Sequence, residues 1–289
     1  MQSLWMVVAG FAFALMGACV KYAAVDFSAA ELVFWRSLAS MAASAALLAR
    51  AGLGLATARF GVHAHRGISG FVSLFMFFHA LTHLPVATAT ALNYTSPLFV
   101  AVLFTLLARE RIRALLAGAV ALGFLGTILL LRPTIAPEQL WPALIGLASG
   151  AISAVAYWNV RQLVQADEPE ERVVFYFALF CAAGAAVLTL PQGWTAITAD
   201  NVTMLAGVAV FGTVGQMALT RAYGKGPAIV TAALSYSGIV FAAILGIALF
   251  GDRLPLVAWF GIVLIVAAGI IAVQTQPRER DAVPQAVND

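Results

Sequence analysis

Few side chains in this sequence could do chemistry, and nearly all of them are embedded in apolar runs. Arg36 follows the apolar stretch Leu32-Val33-Phe34-Trp35. A guanidinium there can bind a substrate carboxylate, pair with Glu31, or cap backbone carbonyls of a neighbouring helix. His79 falls four residues after Phe75, so the two share a helical face. That histidine either packs or hydrogen-bonds a substrate, and an imidazole can titrate near neutral pH. Asn93, Tyr94, Thr95 and Ser96 form a polar run, and Pro97 follows directly. Proline has no N–H to offer the carbonyl of Asn93, so a helix through this point bends, and Pro97 is a candidate hinge. Ser235, Tyr236 and Ser237 repeat the polar pattern later in the chain. Gln216 and Thr220 are spaced i, i+4, and Tyr157-Trp158-Asn159 joins two aromatic rings to an amide. Aromatic rings with a few polar handles suit a small zwitterion with an apolar side chain, or a flat metabolite. Trp158 also fits an aromatic belt at a membrane interface.

Other chemistry is missing. The two cysteines, Cys19 and Cys181, lie inside apolar runs and read as small packing residues. No metal-ligand cluster, phosphate loop or nucleophile elbow is present, so neither a metal nor a cofactor is expected, and an enzyme is not. No carboxylate falls in the middle of an apolar run. Glu31 comes closest, in a first helical turn, while Glu110 and Asp252 lie at run ends. A buried acid is what proton-coupled export of cations needs. Should the chain prove to be a transporter, that absence favours a cycle driven by the substrate gradient and disfavours strongly cationic cargo.

The elements that must hold these residues follow from composition. Of 289 residues, 62% are hydrophobic and 10% charged. Soluble domains carry roughly 25% charged residues. About 20 mostly apolar residues cross a bilayer as a helix. Ten segments reach that length: 4–23, 29–48, 67–84, 86–107, 114–131, 141–163, 173–190, 202–223, 228–250 and 256–273. The runs are continuous rather than alternating, which predicts helices and not a β-barrel. The first run lacks a basic flank and reads as a helix rather than a signal peptide. The polar residues 276–289 read as a disordered cytoplasmic tail. The net charge of +3 is explained by basic loops, so nucleic acid is not an expected partner; lipid and a small-molecule substrate are.

With the N-terminus in the cytoplasm, one side collects twelve basic residues: Arg50, Arg59, Arg66, Arg109, Arg111, Arg113, Arg161, Arg172, Arg221, Lys225, Arg278 and Arg280. Lys21, Arg132 and Arg253 fall opposite. That bias places both termini inside a cytoplasmic membrane. The chain also repeats itself. Residues 78–112 align without gaps onto 220–254, an offset of 142 that puts Pro85 on Pro227 and Tyr94 on Tyr236. Val33-Phe34-Trp35 matches Val174-Phe175-Tyr176, and Lys21 matches Arg161. Gly146-x-x-x-Gly150 reads as a close helix contact. Five helices per copy is an odd number, so the copies, residues 1–137 and 138–275, should cross the membrane in opposite senses. Inverted repeats are characteristic of secondary transporters, with a site near the midplane between the halves.

The stretch Ala80-Leu81-Thr82-His83-Leu84-Pro85 through Asn93-Tyr94-Thr95-Ser96-Pro97-Leu98-Phe99-Val100, with Glu110-Arg111-Ile112, resembles the fourth-helix signature of EamA-type members of the drug/metabolite transporter superfamily. Gly126-Thr127-Ile128-Leu129-Leu130 is similar to the ending of that family's first repeat. The resemblance spans residues 4–273. It implies an all-α integral membrane fold with ten helices in two inverted repeats, a central cavity, and export of amino acids or other metabolites. One departure is Gly238-Ile239 in the place of Ser96-Pro97, which makes the proline hinge one-sided.

The expectation is therefore an exporter of amino acids, aromatic or otherwise apolar, or of related small metabolites, working by alternating access as a monomer or a homodimer. A nucleotide-sugar or phosphorylated-metabolite exchanger would need more basic residues in its cavity than Arg36. A channel-like protein would lack saturable flux.

Overall fold

The computed structural model describes residues 2–107, 114–131, 136–225, 231 and 234–274. Glu110, Arg109, Arg111, Arg113, Arg132, Pro227 and the tail 276–289 lie outside the described residues. Every regular element described is helical. The elements are α1 (Trp5–Ala23), α2 (Ala29–Arg50), α3 (Phe60–His83), α4 (Val86–Asn93), α5 (Ser96–Leu107), α6 (Ala114–Leu131), α7 (Leu140–Gln165), α8 (Glu170–Thr189), α9 (Val202–Lys225), α10 (Ser237–Phe250) and α11 (Leu256–Gln274).

Local chemistry sets several boundaries. At the start of α2, Ser28 Oγ accepts from the Glu31 backbone N–H at 3.3 Å, and Glu31 Oε2 accepts from the Ser28 N–H at 2.8 Å. That reciprocal cap satisfies two helix-end donors. Glu31 also accepts from the Thr195 N–H at 2.6 Å, so its carboxylate is used in capping and not in pairing with Arg36. The chain leaves α10 through Gly251, at φ +64°, which a glycine adopts without penalty.

Among the described residues, five helices are long and apolar enough to cross a membrane: Gln2–Ala23, Ala29–Arg50, Pro137–Gln165, Glu170–Thr189 and Val202–Gly224. Shorter apolar helices run over Ala117–Gly126, Ser237–Phe250 and Leu256–Ile271. Large apolar side chains such as Leu115, Val187 and Phe260 face outward. In water so much exposed apolar surface would drive association; in lipid it is the expected exterior.

Three elements depart from the sequence expectation. The third helix begins at Phe60, well before 67, and so takes in His63 and Arg66. The fourth segment is two helices, with a break at Tyr94 and Thr95. The segment expected over 228–250 has a turn at Tyr236, before α10. The packing is paired throughout. α1 lies on α9 as α3 lies on α7, and α2 lies on α9 as α3 lies on α8. α1 meets α10 as α7 meets α5, while α2 with α8 and α6 with α11 form the two remaining large contacts.

Candidate functional site

The paired packing surrounds a cavity of about 740 Å³, its open mouth included. α1, α2, α3, α4, α7, α8, α9 and α10, with Tyr94 from the turn before α5, contribute to its wall. Arg36, Asn93, Tyr94, Tyr157 and Gln216, all singled out in the sequence, line it. So do Arg66, Phe13, Phe77, Ser73, Ser153 and Phe177, which were not.

Arg36 and Arg66 are only 1% and 3% exposed. Arg36 Nη2 donates to Gly212 O at 3.5 Å and to Gln216 Oε1 at 3.3 Å, both on α9. Gln216 in turn donates to Thr220 Oγ1 at 3.5 Å. The Arg66 guanidinium sits over the Phe177 ring, 4.1 Å from its centroid, and that of Arg36 lies 5.8 Å from the same centroid. Each contact is in cation–π range. Among the described residues neither guanidinium meets a carboxylate.

Glycines make this arrangement possible. A Cβ on Gly212 would stand 2.7 Å from Arg36 Nε, and one on Gly70 would meet Arg66 Nη1 and, at 2.7 Å, the Phe177 ring. Gly70 and Gly212 are separated by the same 142-residue offset as the sequence repeat, and Arg36 and Phe177 by 141. At nearly the same spacing a cation, Arg36, and an aromatic ring, Phe177, are each laid across a glycine of a facing helix.

The helix breaks repeat in the same way. Thr95 Oγ1 donates to Leu92 O at 2.7 Å, and Ser237 Oγ donates to Leu234 O at 2.7 Å. Gly150 approaches the first break so closely that a Cβ would lie 2.7 Å from Thr95 Oγ1, and Gly10 approaches the second with 3.0 Å to Gly238 N. Beside the first break, Asn93 Nδ2 donates to Ser149 Oγ at 2.9 Å, and Ser73 bonds Ser149 O at 2.9 Å and Ser153 Oγ at 2.6 Å. These bonds satisfy polar groups that would otherwise be costly in lipid.

The family model named "EamA-like transporter family" matches residues 1–132 and 140–274. The chain belongs to the EamA-like transporter family. It is 31% identical over 274 residues to the pseudopaline exporter of Pseudomonas aeruginosa, covering 93% of this chain and 95% of that one. It is 26% identical to the riboflavin transporter of Vibrio cholerae, covering 96% and 94%. Against the S-adenosylmethionine uptake transporter of Rickettsia felis the figures are 25% identity, 78% and 75%. A solved crystal structure aligns with a TM-score of 0.67 at 19% identity over 92% of this chain and 96% of that chain, which shows the shared fold. This EamA-family chain is thus a multi-pass membrane protein and a small-molecule transporter, not an enzyme.

The remaining sequence candidates lie away from the cavity wall. Phe75 packs its ring on Phe71, centroids 6.2 Å apart, and His79 stacks on His83 at 4.3 Å. Tyr236 is buried over Gly269, in a cluster with Ile239 and Ile262, so of the paired tyrosines only Tyr94 reaches the cavity. Ser96, Thr220 and Ser235 are buried, and Trp158 is half-buried. Arg66, counted in the sequence among residues flanking the membrane, is the main cavity-lining residue that reading missed. Its signal was the glycine four positions on: Arg66 and Gly70 share a helical face, and only a glycine leaves room for the guanidinium to fold back along it.

Two polar clusters flank the cavity. At one end Thr57 Oγ1 and Arg172 Nη1 donate to Glu168, the latter at 2.9 Å, and His63 Nε2 lies 3.7 Å from it. Arg172 also donates to Gly54 O at 2.8 Å, and Tyr176 OH to Leu55 O at 2.9 Å. Burial alone would raise the Glu168 carboxyl. The hydrogen bonds from Thr57 and Arg172 and the charges of Arg172 and His63 outweigh it and hold the group below its ordinary value. At the other end Lys21 pairs with Asp252 at 3.6 Å and sits 4.7 Å from the Phe250 ring centroid.

Proposed function

We propose that this chain is a secondary exporter of amino acids or related small carboxylate-bearing metabolites, working by alternating access in the cytoplasmic membrane. The observation that carries the reading is the central cavity, walled by aromatic rings and two guanidiniums. Rings such as Phe13, Phe77 and Tyr157 suit an apolar side chain, and a guanidinium suits a carboxylate.

The ten-helix arrangement belongs to the same proposal, with an inverted repeat in residues 1–137 and another in 138–275. The paired helix packing, the matched helix breaks and the matched glycines support it. The basic-residue bias supports both termini facing the cytoplasm. The relative named as a pseudopaline exporter supports the outward direction. With no acid among the described residues that line the cavity, the reading has the substrate gradient rather than proton exchange drive the cycle.

A second reading, exchange of a phosphorylated metabolite, gains from Arg66, because it supplies a second cation that the sequence reading did not count. The test is transport by purified protein in liposomes, using amino acids, phosphorylated sugars, nucleosides and quaternary cations, with and without a pH gradient. Saturable flux of a carboxylate-bearing compound, stimulated by substrate on the opposite side, is expected. Unsaturable flux points to a channel, and preference for quaternary cations or obligatory dependence on the pH gradient sinks the proposal.

A further inference from the structure

Among its described lining residues the cavity holds two buried cations and no acid. Among the described residues, Arg36 Nε and Nη1 and Arg66 Nε have no hydrogen-bond partner. The bonds Arg36 does make, at 3.3 and 3.5 Å, go to neutral acceptors. A buried, uncompensated charge is among the costliest features a protein can carry. The fold nonetheless gives up side chains at Gly70 and Gly212 to accommodate both guanidiniums. Both face the ring of Phe177, so their central carbons are no more than about 10 Å apart. Two carboxylates on one short carbon chain can span that distance.

Taking the cavity to be the transport site, as in the preceding section, we infer that the cargo carries two separate acidic groups, one for Arg36 and one for Arg66. A simple zwitterionic amino acid leaves one guanidinium unanswered and brings an ammonium into a cavity that offers it only neutral acceptors such as Asn93 and Ser73. Two carboxylates answer both cations, each through charge-assisted hydrogen bonds. The apolar or aromatic body of the cargo then lies against Phe13 and Phe77.

The test is ligand titration of the purified, full-length protein by thermal stabilisation. Four probes are used: phenylsuccinate, with two carboxylates; 3-phenylpropionate, with one; phenylalanine, a zwitterion; and phenyl phosphate. Phenylsuccinate is expected to bind at least about tenfold more tightly than the other three. Arg66→Met is expected to erase that preference while leaving single-carboxylate binding. Gly212→Ala, which keeps every charge but displaces Arg36, is a second variant should Arg66→Met fail to yield monodisperse protein. Equal binding of phenylalanine or phenylpropionate overturns the inference. So do absence of phenylsuccinate binding, survival of the preference in both variants, and tighter binding of phenyl phosphate, which points to a single phosphate head. The transport reading fails separately: saturable flux of a one-carboxylate amino acid without dianion preference keeps it and overturns the inference. Dianion binding without saturable flux does the reverse.

Discussion

Arg36 is held by what surrounds it as much as by what it bonds. Gly212 leaves room for its stem, and Gln216 supplies one of its few acceptors. Gly212→Ala should therefore cut transport by about tenfold or more, since the added methyl meets Arg36 Nε at 2.7 Å. Liposome uptake measures this, with the melting temperature checked alongside. Undiminished uptake would detach Arg36 from transport. His79 gives the opposite expectation. Its ring stacks on His83 and its carbonyl accepts from Thr82 at 2.8 Å, away from the cavity wall. His79→Ala should keep transport within about twofold, an allowance set by the small effects usual for substitutions outside the site, and a larger loss would return it to the site.

At the scale of the helix, the two breaks in matching positions are the instructive feature. Pro97 suggests a hinge in the first half alone, yet the second half breaks at Tyr236 with Ile239 in the proline's place. Common to both is a hydroxyl that bonds a carbonyl three residues back, Thr95 to Leu92 and Ser237 to Leu234. That local bond competes with the helical ladder. Thr95→Val with Ser237→Ala is expected to slow countertransport more than Pro97→Ala does, and the reverse order would restore the hinge to the proline. Gly150→Ala places a methyl 2.7 Å from Thr95 Oγ1 and 2.9 Å from Asn93 O, and should cost about 1–3 kcal/mol in thermal or denaturant unfolding. The helices themselves were legible in the sequence, because a long apolar run has one outcome in lipid. The breaks were half legible. Proline announces itself, whereas a serine or threonine bonding its own backbone leaves no composition signal. Arg66 was misread because charge near a run's edge looks the same whether it faces water or folds inward. The partition of aromatic residues between cavity and packing depends on helix rotation, which short apolar runs such as that around Phe75 do not encode.

For the molecule as a whole, the polar clusters at the two ends tie neighbouring segments together, and in the alternating-access cycle proposed above they would serve as its closures. Glu168 ties the 51–59 loop to the start of α8 through Thr57 and Arg172. Its carboxyl is held below the ordinary 4.5, so its stabilising contribution is complete above that value. The contribution is lost as the pH falls through the lowered folded value. Melting curves on either side of that window should fall toward acid pH, and the fall should shrink in Glu168→Gln; an unchanged profile would remove Glu168 from the closure. The uncompensated guanidiniums also bear on energetics. They are fixed in the fold, so only the cargo carries its charge across the membrane. A cell's negative interior pushes each net negative charge outward with about 2.3 kcal/mol per 100 mV. Voltage alone would then power export of an acidic metabolite, and a chain built this way has no need of a titrating carboxylate at its centre.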